Sequence, residues 1–155
     1  MRARDPLAAV AFLTRIPVGR FVTLGPDDVG RGVVFFPIVG AAVGALAGLA
    51  AEGLDGPLPA LVAGGLGVAV ALVLTGALHL DGLADTADAF GAGDRERRLE
   101  IMRDSRTGSF GAAAIALAVL VEAAALGGLA VERDAVRAFV VAGALSRAVT
   151  PPLAR

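Results

Sequence analysis

The chain has no cysteine and no lysine, and its 155 residues include one histidine, His79. Without cysteine there is no disulfide framework and no thiolate metal site. A single histidine leaves little for a zinc centre. Charge is also missing over long stretches. Residues 32–51, 56–80 and 107–121 carry none, and beyond Glu122 the third run continues to 131. A membrane span needs about 20 apolar residues. These runs meet that length, and 138–150, interrupted by Arg147, is a shorter fourth candidate.

The bulk composition agrees. Hydrophobic residues make up 56% of the chain and the mean hydropathy is +0.75, well above an ordinary soluble domain. A soluble Ala/Gly-rich bundle is the alternative. It would have to hide several uncharged runs of spanning length in a small chain. The expectation is therefore an all-α, polytopic transmembrane helical bundle forming one integral membrane domain over 1–155. It has about four membrane segments and an N-terminal interfacial helix. That helix is placed over Pro6–Leu13, a short run that leads into Thr14-Arg15-Ile16-Pro17 with no clear cleavage site and does not look like a cleaved signal peptide.

The arginines orient the spans. Five lie in 1–31 and five more in 81–110, whereas 52–57 has none and 132–137 has two. Two spans separate the two basic regions, so both fall on one side, which the positive-inside rule makes cytoplasmic. Gly40, Gly44 and Gly48 recur every four residues in the first span. They make a groove for a close helix neighbour, either the second or third span or a second copy of the chain. Gly64, Gly65 and Gly67 predict tight packing of the second span, and Pro37 caps or kinks the first.

What is present at the end of the second span is more specific. Asp81, Asp85 and Asp88 follow the uncharged run at i, i+4, i+7. At roughly 100° per residue they share one helix face. Unpaired carboxylates there repel one another and call for a cation, and oxygen-only ligands suit Mg²⁺ or Mn²⁺. Carboxylates at a membrane boundary are costly and usually functional. His79 is a ligand candidate, or a hydrogen-bond partner of Asp81, or a headgroup contact.

The loop 81–110 continues the pattern. Phe90-Gly91-Ala92-Gly93 breaks the helix, and Asp94 is placed to cap a new one over Arg95–Arg103. Arg103-Asp104-Ser105-Arg106 then sets a carboxylate between two arginines. Asp104 is a fourth candidate metal oxygen. Arg103 and Arg106 can clamp phosphate oxygens, and Ser105 can donate a hydrogen bond. Carboxylates for metal beside arginines for phosphate is the layout phosphoryl transfer requires. Arg95, Arg97 and Arg98 read as topology charges paired with Asp94, Glu96 and Glu100. Glu122 reads as a packed or water-facing carboxylate, either paired with Arg147 or protonated.

Leu78-His-Leu-Asp-Gly-Leu-Ala-Asp-Thr-Ala-Asp88, then Arg98-Leu-Glu-Ile-Met-Arg-Asp-Ser-Arg106 and Gly108, resembles the adenosylcobinamide-GDP ribazoletransferase (cobalamin synthase) family. Phe12-Leu-Thr-Arg-Ile-Pro-Val18, Phe35-Phe-Pro-Ile-Val-Gly40 and Ser146-Arg147 resemble it too, in the same order. The resemblance implies an inner-membrane enzyme of late vitamin B12 assembly, with its active-site loop cytoplasmic. It would join adenosylcobinamide-GDP to α-ribazole or its 5′-phosphate, releasing GMP, with Mg²⁺ as cofactor. Asp81, Asp85, Asp88 and Asp104 would hold metal, and Arg103, Ser105 and Arg106 the diphosphate. Arg15 and Arg147 are further substrate contacts, and Asp88 is the candidate general base. Membrane lipid surrounds the chain, a homo-oligomer is compatible, and no nucleic-acid partner is expected. Members of the family are longer, so 1–155 is expected to be an N-terminal portion.

Two rivals remain. A CDP-alcohol phosphotransferase needs Asp-x-x-Asp-Gly-x-x-Ala-Arg, whereas Asp81-Gly82 is followed by Leu-Ala-Asp. A cation transporter would place its carboxylates near the midplane at helix breaks.

Overall fold

The computed structural model describes residues 4–104 and 106–149, with Pro26 described in its backbone only. Ser105 and 150–155 lie outside the described residues. Within them the fold is helical, and its one β-type pairing is the isolated Asp55–Leu58 bridge.

Helix α1 (Asp5–Leu13) starts with Pro6 in its first turn, where proline's missing N–H costs nothing. It buries Ala8, Ala9 and Leu13 and stacks Phe12 on Phe36 at 5.5 Å between ring centroids. Buried Asp5 pairs with Arg31 at 3.5 Å, tying α1 to α2 (Pro26–Gly32). The expected N-terminal helix is present, and it packs against α2 and Phe36.

Helix α3 (Phe36–Leu54) carries Pro37 in its first turn, so proline caps this helix and does not kink it. Its glycine row is filled from within the chain. A Cβ on Gly40, Gly44 or Gly48 would strike the backbone of Gly143, Phe139 or Val136 in α8 (Ala135–Ala148). The groove thus holds α8 rather than the second or third span, and no second copy can use it. Gly64 of α4 (Ala60–Thr75) meets the backbone of α7 (Ser109–Val131) in the same way. Gly67 fits between Leu126 and the Ala47 carbonyl.

Small residues inside and large ones outside follow from this packing. Ala47, Ala51, Ala63, Ala123 and Ala130 are buried, while Ile38 is 64% and Leu117 63% exposed. Lipid tails are as apolar as leucine, so helices in a membrane gain from close backbone contact and leave bulky side chains outward. The molecule is a helical membrane protein.

The four expected spans are not four equal helices. Two helical stretches, Asp27–Leu54 and Ser109–Val131, are long and apolar enough to cross a membrane. The span expected over 56–80 stops at Thr75, and α5 (Leu78–Phe90) turns away by 94°. Gly76 and Ala77 are both left-handed, with φ of +66° and +58°. Two such residues in succession end an α-helix, and for alanine the conformation costs about 1–2 kcal/mol. The corner is braced by Arg15, whose N–H donates to the Leu74 carbonyl at 2.7 Å and whose side chain covers Gly76. The fourth candidate is α8, 14 residues or about 21 Å long, short of the hydrocarbon thickness. At the far end of the bundle Glu52 joins α3 to α8. Its Oε1 accepts from the Val136 N–H at 3.0 Å, and its carbonyl accepts from Arg133 at 3.1 Å.

Candidate active site

Helix α5 presents the aspartates. Asp81 is exposed and Asp85 half-buried, and neither side chain has a hydrogen bond or ion pair among the described residues. Asp88, at the other end of the row, is fully engaged. Its Oδ2 accepts from the Gly108 N–H at 2.7 Å and its Oδ1 from the Gly111 N–H at 2.8 Å, both at the start of α7.

The chain between these contacts holds the arginines. After Phe90 the helix breaks, and Asp94 caps α6 (Arg95–Ile101) by accepting from the Arg97 N–H at 2.7 Å. The cap was legible in the sequence, though the helix ends before Arg103. Arg97 pairs with Glu100 at 2.6 Å on the exposed face, as topology charges should. Beyond α6, Asp104 folds back on Arg106. Arg106 donates Nη2–H to Oδ2 at 2.9 Å, and Nε–H to both oxygens at 3.2 Å. The Arg106 N–H adds a bond to Oδ1 at 3.1 Å. Hydrogen bonds from the Arg106 side chain, then from its backbone, hold the Asp104 carboxyl below the usual carboxylate range. The same contact pushes the Arg106 guanidinium up.

Asp88, Asp104 and Arg106 line one open hollow of about 420 Å³, together with Thr107, Gly108 and Ser109. Arg103 lines a neighbouring depression with Asp104 and Arg106. The structure therefore gathers Asp88, Arg103, Asp104 and Arg106 in adjoining hollows. Thr107 and Ser109 line the first of them too, and Ser109 went unnoticed in the sequence. Ser105 is outside the described residues.

Arg147 lies elsewhere. It lines a cavity of about 440 Å³ between α3, α4, α5, α7 and α8, with His79, Glu122 and Ser146. Arg147 donates to Ser146 Oγ at 2.7 Å. No ion pair joins it to Glu122 among the described residues. His79 also lines this cavity, two residues before Asp81 and so on the other side of α5 from the aspartate face. Arg15 braces the α4–α5 corner.

Among the described residues no three carboxylate or imidazole groups are grouped closely enough to hold a metal ion together. The donor chemistry nonetheless fits a hard cation. Asp81 and Asp85 are unpartnered oxygen ligands one helical turn apart. Mg²⁺ is usually held by one or two carboxylates and completed by substrate phosphates and water.

A family model described as cobalamin-5-phosphate synthase matches residues 5–155. An adenosylcobinamide-GDP ribazoletransferase of Syntrophobacter fumaroxidans is 52% identical over 121 residues, covering 76% of this chain and 49% of that protein. One from Azorhizobium caulinodans is 48% identical over 154 residues, covering 93% and 57%. One from Escherichia coli is 41% identical over 144 residues, covering 90% and 58%. The chain spans about half the length of these curated relatives. No solved structure matches it. The aspartate helix, the arginine loop and a match over nearly the whole chain agree, and the chain belongs to the cobalamin-5-phosphate synthase family.

Proposed function

We propose that this chain carries the diphosphate-handling site of a Mg²⁺-dependent transferase. That enzyme joins adenosylcobinamide-GDP to α-ribazole or its 5′-phosphate. The relatives' shared name supplies the reaction class. The observation that carries the reading to this chain is the hollow where Arg106, Asp104 and Asp88 meet beside the aspartate row of α5.

A ribazole hydroxyl attacks the phosphorus on the cobinamide side. The new P–O bond forms, the bridging P–O bond breaks, and GMP leaves with the bridging oxygen. The hydroxyl proton passes to a carboxylate of α5. Asp81 and Asp85 hold the metal, while Asp88 and Asp104 line the hollow further along the loop. Bound there, Mg²⁺ neutralises the diphosphate and stabilises charge growing on the leaving group. Arg103 and Arg106 bind phosphate oxygens, Arg106 through its planar fork once substrate competes with Asp104 for it. Ser105, Thr107 and Ser109 supply hydroxyls on the same loop. The loop faces the cytoplasm and the bundle sits in the bacterial inner membrane, as the arginine distribution supports.

One observation favours the transport reading. A helix break does precede the carboxylates, at Gly76–Ala77. Family membership and the arginines beside the carboxylates outweigh it. The deciding experiment supplies membranes containing this chain with adenosylcobinamide-GDP and α-ribazole 5′-phosphate, with Mg²⁺ or EDTA. Release of GMP with corrinoid product only in Mg²⁺ supports the transferase. If a chain extended to the length of its relatives is also inactive, while cation uptake into vesicles is measurable, transport replaces it.

A further inference from the structure

A helix starts with amide N–H groups that have no partner inside the helix. Most soluble helices satisfy them locally. The residue at the cap accepts from the amide three residues on, whose own side chain reaches back to the cap's amide. Helix α7 cannot do this, because the two positions concerned are Gly108 and Gly111. Asp88 does both jobs from another helix. One carboxylate oxygen takes the Gly108 N–H and the other takes the Gly111 N–H, across 20 and 23 residues of chain. The glycines are what admit it. A Cβ on Gly108 would lie 2.5 Å from Asp88 Oδ1, and one on Gly111 would collide with the same carboxylate. The negative charge also sits at the positive end of a 23-residue helix.

The chain enclosed by this contact, 89–107, contains Arg103, Asp104 and Arg106. We infer that Asp88 is a positioning residue. It locks the two ends of the arginine loop together by capping α7 from α5, with Gly108 and Gly111 as the positions that make room for it. The consequence for turnover rests on the transferase reading; the clamp itself does not.

Two measurements test this on the full chain in detergent. The first is the rate of tryptic cleavage at Arg103 and Arg106, with cleavage at Arg133, at the opposite end of the bundle, as control. Asp88→Ala and Gly111→Ala should each speed cutting in the loop about five- to tenfold, the worth of a lost helix cap, and leave Arg133 unchanged. Gly111→Ala displaces the carboxylate while keeping its charge, so the two variants should agree. An unchanged loop rate in both overturns the clamp, and so does equal acceleration at Arg133, which would report general unfolding. The second is a kinetic split in Asp88→Asn, which keeps one acceptor oxygen. KM for adenosylcobinamide-GDP should rise while the Mg²⁺ concentration for half-activation stays the same. A Mg²⁺ requirement raised by about tenfold or more would instead make Asp88 a metal ligand. If the unaltered chain shows no turnover, the transferase reading fails, and the protease result still decides the clamp.

Discussion

Gly40 of α3 and Gly143 of α8 meet backbone to backbone, each occupying the space a side chain would need on the other. This contact, repeated one turn on by Gly44 against Phe139, lets a short helix pack tightly along the first span. It leaves Arg147 beside Gly40, facing the cavity shared with His79 and Glu122.

Gly44→Leu should therefore push α8 off α3. Overpacking of this kind costs about 1–3 kcal/mol or more. Thermal unfolding in detergent should show a lower midpoint, and a Gly53→Ala control, at a site with open space around it, should not. Equal midpoints for the two would mean the α3–α8 packing is not as described.

Asp81→Asn should abolish turnover, by about a hundredfold or more, because loss of an outer-shell partner of a metal alone costs about 10–100-fold. Membrane insertion should be intact, since the Asp81 side chain makes no hydrogen bond or ion pair among the described residues. Near-normal GMP release at equal protein level would remove the metal reading.

Chelation should act in the same way. EDTA should stop GMP release and Mg²⁺ should restore it, with Mn²⁺ a substitute, because the proposed ligands are all carboxylate oxygens. Zinc restoring activity where Mg²⁺ fails would contradict the assignment.

Arg106→Lys should slow turnover by on the order of tenfold, about one charge-assisted hydrogen bond. A lysine offers a point charge where the planar fork makes paired bonds. Full activity with lysine would leave Arg106 as a topology charge only.

Asp104 gives a pH signature. Its carboxyl is held low by Arg106. A depressed folded value means the contact is fully present above the ordinary aspartate pKa, about 3.9, and is lost as pH falls through the lowered one. The carboxyl carbon resonance of Asp104 should titrate at lower pH in the unaltered chain than in Arg106→Gln. Coincident midpoints would show that the pair does not persist in solution.

Much of the site could be read from residue order because local chemistry is periodic. The i, i+4, i+7 spacing of Asp81, Asp85 and Asp88 needs only a helix to share a face, and Asp94 needs only the next turn to cap. The substrate roles of Arg15 and Arg147 followed from resemblance rather than local pattern. Arg147 proved to lie at a separate cavity. The partners of Asp88 were not legible, because two amides 20 and 23 residues away have no sequence signature beyond the glycines themselves.

The sequence by itself determined that this is a helical membrane protein with a carboxylate helix leading into an arginine loop. Uncharged runs and glycine spacing are properties of the chain that any fold must respect. Only the tertiary structure decided that the second span breaks at Gly76–Ala77, that the glycine groove belongs to α8, and that Asp88 closes the loop onto α7. Hydropathy records what a segment is made of. Backbone dihedral angles and distant amide partners are set only when helices pack.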